Sequence, residues 1–206
     1  MPDVQTDPVI TDGKPSGRPR GPRERVRRQV LDATRELVEA GGYSAFTVDA
    51  LVALSGVSKT TIYRWWDNRA DVALDMMEDG FGLPAEVDDS GSAASRIVRY
   101  LAAEMAYYAG PAGMILRGIL ADAQHRPPLA ATVERRFFGP RREGVRDLVR
   151  QGVEVGEFRA DADPDLTSAL LLAPLLQSLL TGQPAQTGDL PERLVTAVVG
   201  GLGADL

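Results

Sequence analysis

The residues best suited to chemistry lie in one short run, residues 59–66, which reads Lys-Thr-Thr-Ile-Tyr-Arg-Trp-Trp. Its ammonium, guanidinium and hydroxyl groups donate hydrogen bonds of the kind that phosphate oxygens and base edges accept. Its tyrosine, beside basic and hydroxyl groups, suits contact with phosphate and with the methyl group of thymine. The run therefore predicts recognition of nucleic acid rather than the making or breaking of covalent bonds.

The inventory of catalytic side chains points the same way. The chain has 206 residues, no cysteine and a single histidine, His125. Without cysteine there is no disulfide, thiolate zinc site, iron–sulfur cluster or cysteine nucleophile, and one histidine cannot build a histidine-rich metal site. We expect a protein that is not an enzyme and that needs no cofactor or metal. The alternative from another class is a small helical enzyme that uses His125 or a pair of carboxylates.

The apolar runs of the chain predict a cytoplasmic protein without a membrane partner. Residues 1–17 contain no apolar run and begin acidic, unlike a secretory signal. The most apolar stretch, residues 169–180, contains Pro174 and Gln177 and is shorter than the ~20 residues that cross a bilayer.

The net charge of −6 hides opposite charges in two parts of the chain. Residues 1–69 carry 11 basic and 9 acidic side chains, a net of +2, whereas the remaining residues carry 12 and 20, a net of −8. Within the first part, residues 14–28 hold seven basic side chains against Glu24 alone. Such a block suits phosphate, although a solvated basic tail has the same composition.

Residues 1–22 are expected to form a disordered basic arm, because they are rich in proline, glycine and polar residues and cannot fold alone. Arg18 and Arg20 flank Pro19 on an extended backbone, which is the shape that enters a narrow, A·T-rich minor groove. A flexible tail that contacts nothing is the alternative.

Residues 23–41 predict a first helix, because apolar side chains recur every three or four residues from Val26 to Leu37. Gly41 and Gly42 supply the usual left-handed helix stop.

Two short helices are expected next, each opened by a hydroxyl side chain. Thr47 and Ser58 are the predicted N-caps, since each hydroxyl can accept an otherwise unpaired backbone N–H of the first turn. Gly56 lies between the two helices and can take a positive φ. Two capped helices joined by a glycine turn predict a helix-turn-helix. Asn68 then caps a fourth helix.

The helical period sorts the third helix into two faces. Ile62 and Trp66 should point inward, and Trp65 should be partly exposed because adjacent helix positions cannot share one face. The open face is expected to carry Lys59, Thr60, Tyr63 and Arg64.

The string from about Arg23 to Met77 resembles the tetracycline-repressor (TetR) family of transcriptional regulators. The similarity is carried by Gly42, Phe46-Thr47-Val48, Leu51, Ser55-Gly56-Val57-Ser58 and Thr61-Ile62-Tyr63-Arg64-Trp65-Trp66, with Arg69 and Ala70. The chain departs from the common family pattern at Leu51-Val52, Asp67 and Arg69, where isoleucine-alanine, proline and lysine are frequent.

The resemblance implies a sequence-specific DNA-binding repressor that a small-molecule effector releases from a palindromic operator. It implies a homodimer whose two modules occupy half-sites about 34–36 Å apart. By position, the residues that look like base readers are Lys59, Thr60, Thr61 and Trp65, and those that look like phosphate contacts are Thr47, Tyr63 and Arg69. A DNA-binding regulator that uses no effector is the alternative.

The rest of the chain predicts an all-α fold, in which a three-helix helix-turn-helix domain over residues 23–81 precedes a larger helical domain over residues 82–206. The resemblance implies that the second domain binds the ligand and forms the dimer. Residues 82–92 are a plausible linker, and no strand pattern appears. Helices are expected at about 93–109, 111–124, 128–155, 164–181 and 190–203.

The helix expected at 164–181 is apolar nearly all round, so one of its sides should meet an apolar surface beyond its own core. With the last helix it resembles the dimerisation pair of the family, and the alternative is a single buried core helix. The residues assigned to the dimer interface are Leu171, Leu172, Leu175, Leu179, Leu194, Val198 and Leu202.

The resemblance also implies a ligand cavity in the second domain. A cavity with few polar groups favours an apolar or aromatic effector. The candidate ligand-binding residues are Tyr107, Met114, Arg117, His125, Phe138 and Gln177.

Overall fold

The computed structural model describes residues 22–80, 90–182 and 188–200. Within these ranges the chain forms α-helices and one π turn and contains no strand, which confirms the all-α fold. The helices are α1 Pro22–Ala45, α2 Val48–Ser55, α3 Lys59–Tyr63, α4 Arg69–Gly80, α5 Ala93–Ala109, α6 Pro111–Ala123, α7 Pro127–Val133, α8 Gly139–Glu154, α9 Pro164–Thr181 and α10 Leu190–Gly200, and the π turn is Glu134–Phe138.

The predicted caps set the boundaries of α2 and α3. The Ala50 N–H donates to Thr47 Oγ1 at 3.1 Å, and the Thr61 N–H donates to Ser58 Oγ at 3.2 Å. Gly56 has a φ of 67° and ends α2 in the left-handed conformation that a side chain would disfavour. Local hydrogen bonds therefore fix the residue at which α3 begins.

Two further signals at the ends of helices also hold. Gly42 interrupts α1 with a φ of 70°, as the double glycine predicts. Asn68 Oδ1 accepts from the Ala70 N–H at 2.9 Å and from the Asp71 N–H at 3.1 Å, and so caps α4.

The buried core of the first four helices continues into α6. Phe46, Leu51 and Ile62 belong to the same hydrophobic cluster as Leu116 and Ile119, and all five side chains are almost fully buried. A second cluster holds the packing of α5, α8, α9 and α10 together. The first four helices are thus joined to α6 by apolar contacts as well as by the chain itself. The division at residue 82 stays a prediction.

The helix predicted over 128–155 is interrupted by the π turn Glu134–Phe138. The Gly139 N–H donates to the Glu134 carbonyl, a bond to the fifth preceding residue. Pro140 follows, and its ring lacks an N–H and would clash with the fourth preceding carbonyl in a regular α-helix. The wider turn lets the chain continue in one direction into α8 despite the proline.

A fully buried ion pair lies between α5 and α8. Arg141 Nε donates to Glu104 Oε2 at 3.1 Å, and the Glu104 side chain has no exposed surface. The guanidinium also donates to the Phe137 carbonyl at 3.1 Å and stacks 3.4 Å from the centre of the Phe137 ring. Burial raises the pKa of Glu104, while Arg141 opposes that shift. The carboxylate depends on Arg141 for its charge compensation.

Replacing Arg141 by Met should destabilise the protein by about 3–5 kcal/mol, because the variant leaves a buried carboxylate without its counter-charge. Urea unfolding at fixed protein concentration measures the difference. Lowering the pH towards the raised pKa of Glu104 should narrow it, since a protonated carboxyl needs no counter-charge. Arg150→Met is the matched control, because that arginine lies on α8 with surface partners and should contribute less than about 1 kcal/mol. Equal losses in the two variants would contradict the assignment.

Candidate nucleic-acid interface

The third helix presents the predicted polar face to the outside. Ile62 and Trp66 are 1% and 5% exposed and belong to the core, and Trp65 is half-buried against it. The exposed residues of this helix and its last turn are Lys59, Thr60, Tyr63 and Arg64. The exposed face of α3 therefore carries ammonium, hydroxyl, phenol and guanidinium groups together. A helix with such a face can fit into the groove of a DNA duplex.

Two threonines assigned to this surface also serve the backbone. Thr47 is exposed, but its hydroxyl caps α2. Thr61 is half-buried, and its hydroxyl lies 2.8 Å from Ser58 Oγ, within the cap of α3. Thr60 has its side chain exposed at the same helix end. Of the three threonines, Thr60 has the side chain most available to a partner.

The end of α3 is fixed to α4 and to the π turn by one carboxylate. The indole Nε1 of Trp66 donates to Asp75 Oδ2 at 2.9 Å. Asp75 Oδ1 accepts from Arg136 of the π turn, and Arg136 Nε also donates to Glu78 Oε1 at 2.9 Å. Helix α3 is thus connected through Trp66 and Asp75 to Arg136, which lies 70 positions after Trp66 in the sequence.

The sequence predicts a phosphate contact for Arg69, but in the structure its guanidinium binds groups of its own chain. Its guanidinium binds Asp122 of α6, with Nη2 at 3.1 Å from Oδ2, and donates through Nη1 to the Phe46 carbonyl at 2.9 Å. It also lies 4.6 Å from the centre of the Tyr43 ring. The physical reason is Asp122, a carboxylate 53 residues away whose position local spacing does not reveal. Arg69 joins α4 to α6 in this structure.

Tyr43 completes this junction. Its hydroxyl donates to Asp122 Oδ2 at 2.9 Å, and burial together with Asp122 raises the pKa of Tyr43 above its usual range. The ring also lies directly against Gly118, where an added Cβ would come within 2.2 Å of Tyr43 Cδ1. Helix α6 therefore approaches α1 more closely than any side chain at position 118 would permit.

A carboxylate stands within the candidate interface. Asp49, in the first turn of α2, binds Lys59 with Oδ1 at 2.9 Å from Nζ, and the Asp49 side chain is 84% exposed. The hydrogen bond to Asp49 raises the pKa of Lys59. Sequence reasoning missed this residue, although its place two positions after the α2 cap puts it at the same end of the helix-turn-helix as Lys59. An acidic group here repels phosphate and restrains the lysine.

Replacing Asp49 by Asn should raise affinity for all duplexes several-fold, because it removes a negative charge that repels phosphate from the candidate interface. Fluorescence anisotropy with an unrelated duplex should show tighter binding, with a salt slope steeper by about one.

Asp32→Asn is the matched control for this prediction, since Asp32 is an exposed partner of Arg35 on α1. It should leave binding to the unrelated duplex nearly unchanged. Unchanged or weaker binding in the Asp49 variant would show that the carboxylate does not oppose DNA.

A groove of about 560 Å³ lies between α5, α6, α9 and the start of α10. Two of the six predicted ligand residues, Met114 and Arg117, line it. The full lining is Ala102, Met105, Ala106, Tyr108, Ala109, Met114, Arg117, Leu175, Ser178, Leu179, Gly182, Gly188 and Pro191.

The other four candidate ligand residues lie outside this groove. Tyr107 and Phe138 pack against the first hydrophobic cluster. Gln177 is exposed on α9, where its neighbour Ser178 lines the groove instead. His125 is exposed just after the end of α6. The difference arises because the groove follows the small side chains of one α5 face, a tertiary arrangement that residue type alone does not indicate.

The assignment of the α9 leucines to a dimer interface needs correction. Leu171, Leu175 and Leu179 are at most 2% exposed and lie in the core of the chain itself. The apolar residues of α9 that remain outside are Leu166, Leu170 and Leu180, each about half exposed at 57%, 49% and 57%. Helix α9 therefore does carry a second apolar side, as predicted, but the leucines on it are different ones.

The remaining candidate interface residues fall into two groups. Leu172, Leu194 and Val198 are half-buried and pack against the second cluster. Arg18, Arg20 and Leu202 lie outside the described residues.

Two other kinds of site are absent from the described residues. No group of three or more His, Cys, Asp or Glu side chains that could hold a metal occurs in them. None of the helices in them is long and apolar enough to cross a membrane.

Helix α2, the turn at Gly56 and the exposed, capped helix α3 form a helix-turn-helix. This arrangement defines a class of DNA-binding proteins. The comparisons agree with this class. The family described as "Bacterial regulatory proteins, tetR family" matches residues 30–76, and the family described as "Tetracyclin repressor-like, C-terminal domain" matches residues 87–198. The chain belongs to the TetR family of transcriptional regulators and is a DNA-binding regulator.

Individual relatives support this membership. The HTH-type transcriptional regulator YdeS of Bacillus subtilis is 31% identical over 173 residues, which are 84% of each chain. The solved structure of the TetR family transcription regulator SCO0332 is 27% identical, with a TM-score of 0.72 over 86% of this chain and 98% of that one. A transcriptional regulator of Saccharomonospora viridis in complex with choline has the same fold, with 19% identity and a TM-score of 0.61 over 83% of this chain and 94% of that one. A family of regulators favours the DNA-binding interpretation over an enzyme based on His125.

Proposed function

We propose that the protein is a homodimeric repressor that places one α3 in each half-site of a palindromic operator and leaves the operator when a small molecule binds. The observation that carries the proposal is the division of α3 into a buried side and an exposed polar side. Its N-terminal residues would enter the major groove, as in other helix-turn-helix proteins. Since its target is chromosomal DNA, the proposal places the protein in the cytoplasm.

Within this interface we assign different roles to neighbouring side chains. Lys59 and Thr60, at the start of α3, would read base edges together with Thr61 and Trp65. Tyr63 and Thr47 would contact phosphates, and Arg64 would add a further cation on the exposed face. The arginines of the basic arm, at positions 18 and 20, would enter a flanking minor groove.

Tyr63→Ala and Lys59→Ala should affect DNA binding in different ways. Loss of a phosphate contact at Tyr63 should weaken binding to all duplexes alike. Loss of a base contact at Lys59 should change the preference at one base pair of each half-site by about 1–3 kcal/mol. Selection of bound sequences from random DNA, followed by anisotropy on the selected duplexes, measures both. An unchanged motif for Lys59→Ala, or a changed one for Tyr63→Ala, would reverse the assignment.

The exposed apolar side of α9 supports the dimer part of the proposal. Leu166, Leu170 and Leu180 lie on one helix and leave an apolar stripe in contact with water. A second copy of the chain would cover it by placing the same stripe against it across a two-fold axis. Helix-turn-helix regulators need such pairing, because two recognition helices must reach successive major grooves on one side of the duplex.

Leu170→Glu should convert the protein from a dimer to a single chain of 22.1 kDa, because a carboxylate would be buried in the apolar interface. Light scattering after gel filtration measures the mass. Binding to a duplex with two half-sites should fall towards that of a duplex with one. Val155→Glu is the control, since Val155 is 75% exposed at the end of α8 and should leave the mass unchanged. A dimeric Leu170→Glu protein would rule out this face.

Helix α6 offers a physical route from the groove to the DNA-binding helices. Met114 and Arg117 line the groove, while Gly118 packs on Tyr43 and Asp122 holds Arg69. A ligand that binds better to a shifted position of α6 would therefore move α1 and α4 as well. Effector release would follow from this differential affinity, without any contact between the ligand and DNA.

A further inference from the structure

Arg117 is placed unusually for an arginine of this protein. It is half-buried at the wall of the groove, beside Gly182, where an added Cβ would come within 3.1 Å of the Arg117 Nη1 atom. Arg69, Arg136 and Arg141 each bind a carboxylate. Within residues 22–80, 90–182 and 188–200, no carboxylate lies within ion-pairing distance of Arg117. Its charge therefore faces the groove without a counter-charge from this part of the chain.

The remaining walls are apolar or small. Among the described residues that line the groove, Arg117 is the one with a charged side chain, and Ser178 and Tyr108 are the others with polar side chains. The alanines of α5, together with Gly182 just after α9 and Gly188 just before α10, leave the space open.

We infer that the groove binds an apolar molecule that carries a single anionic group, and that Arg117 is the counter-ion of that group. The inference rests on the proposed effector site and adds the chemical class of its ligand. A guanidinium in an apolar wall binds a carboxylate or another oxyanion through charge-assisted, often paired hydrogen bonds. The volume of about 560 Å³ suits a ligand of ordinary metabolite size. A quaternary ammonium ligand or a sugar does not fit, because Arg117 repels the first and the walls offer the second too few polar partners.

Matched probes test the anion directly. Decanoate and 2-naphthoate are compared with decanol, 2-naphthol and choline, each below the concentration at which it aggregates, on the full-length protein. Isothermal titration and the melting temperature report binding. We expect the two carboxylates to bind the wild-type protein at least about tenfold more tightly than the alcohols, and choline not to bind.

Substitutions locate the site. Arg117→Met should reduce carboxylate affinity about tenfold or more and leave the alcohols unchanged, whereas Arg117→Lys should retain part of the preference because it keeps the charge. Arg126→Met is the control, because Arg126 is exposed outside the groove and should bind the probes as the wild type does. Circular dichroism and operator binding without probe confirm that the variants fold.

Each outcome decides the inference. Carboxylates that bind no better than alcohols, carboxylates that bind Arg117→Met normally, or a failure of all the carboxylates to bind would overturn it. Carboxylates that bind through Arg117 but leave operator affinity unchanged would support the ligand class and contradict effector release. If the wild-type protein did not bind the operator in the absence of any probe, that result would instead contradict the proposed DNA-binding function.

Discussion

The structure depends on the close contact between α6 and Tyr43. Gly118 lets the tyrosine ring lie against the α6 backbone, and Asp122, one turn later, accepts hydrogen bonds from the Tyr43 hydroxyl and from Arg69. The contact is apolar on one side and ionic on the other, so it fixes both distance and rotation between the first four helices and α6. Because the hydrophobic core also continues across this boundary, the first four helices and α6 pack as one unit.

Helix α3 is held in place at its two ends. At the carboxyl end of α3, Trp66 is tied through Asp75 to Arg136 of the π turn. At its amino end, the Ser58 cap sets the first turn and Asp49 restrains Lys59. The orientation of α3 is therefore set by its own cap and by contacts with α2, α4 and the π turn. A helix of five residues is too short to be stable through its own hydrogen bonds. Packing and capping therefore supply the stability of α3.

The first four helices were predictable from the sequence because their signals are local. Caps at Thr47 and Ser58 and the turn at Gly56 depend on neighbours within a few residues, and the inward faces of Ile62 and Trp66 follow from helical period. The roles of Arg69 and of the α9 leucines were not predictable in the same way. Arg69 takes its partner from 53 residues away, and α9 is apolar nearly all round, so its sequence does not indicate which leucines face its own core. The groove likewise forms from small residues of four helices, whereas the sequence drew attention to large aromatic ones.

The π turn at Glu134–Phe138 has a consequence for how this protein tolerates change in length. A turn that holds one extra residue rotates every following side chain about the helix axis by roughly 100° relative to an uninterrupted helix. Arg136 reaches α4 from within that turn, while Arg141 reaches the buried Glu104 from just beyond it. Deleting a single residue there would restore an ordinary α-helical spacing and turn Arg141 away from its carboxylate. Because of the additional residue, one continuous stretch of chain can bind Glu78 of α4 through Arg136 and the buried Glu104 of α5 through Arg141.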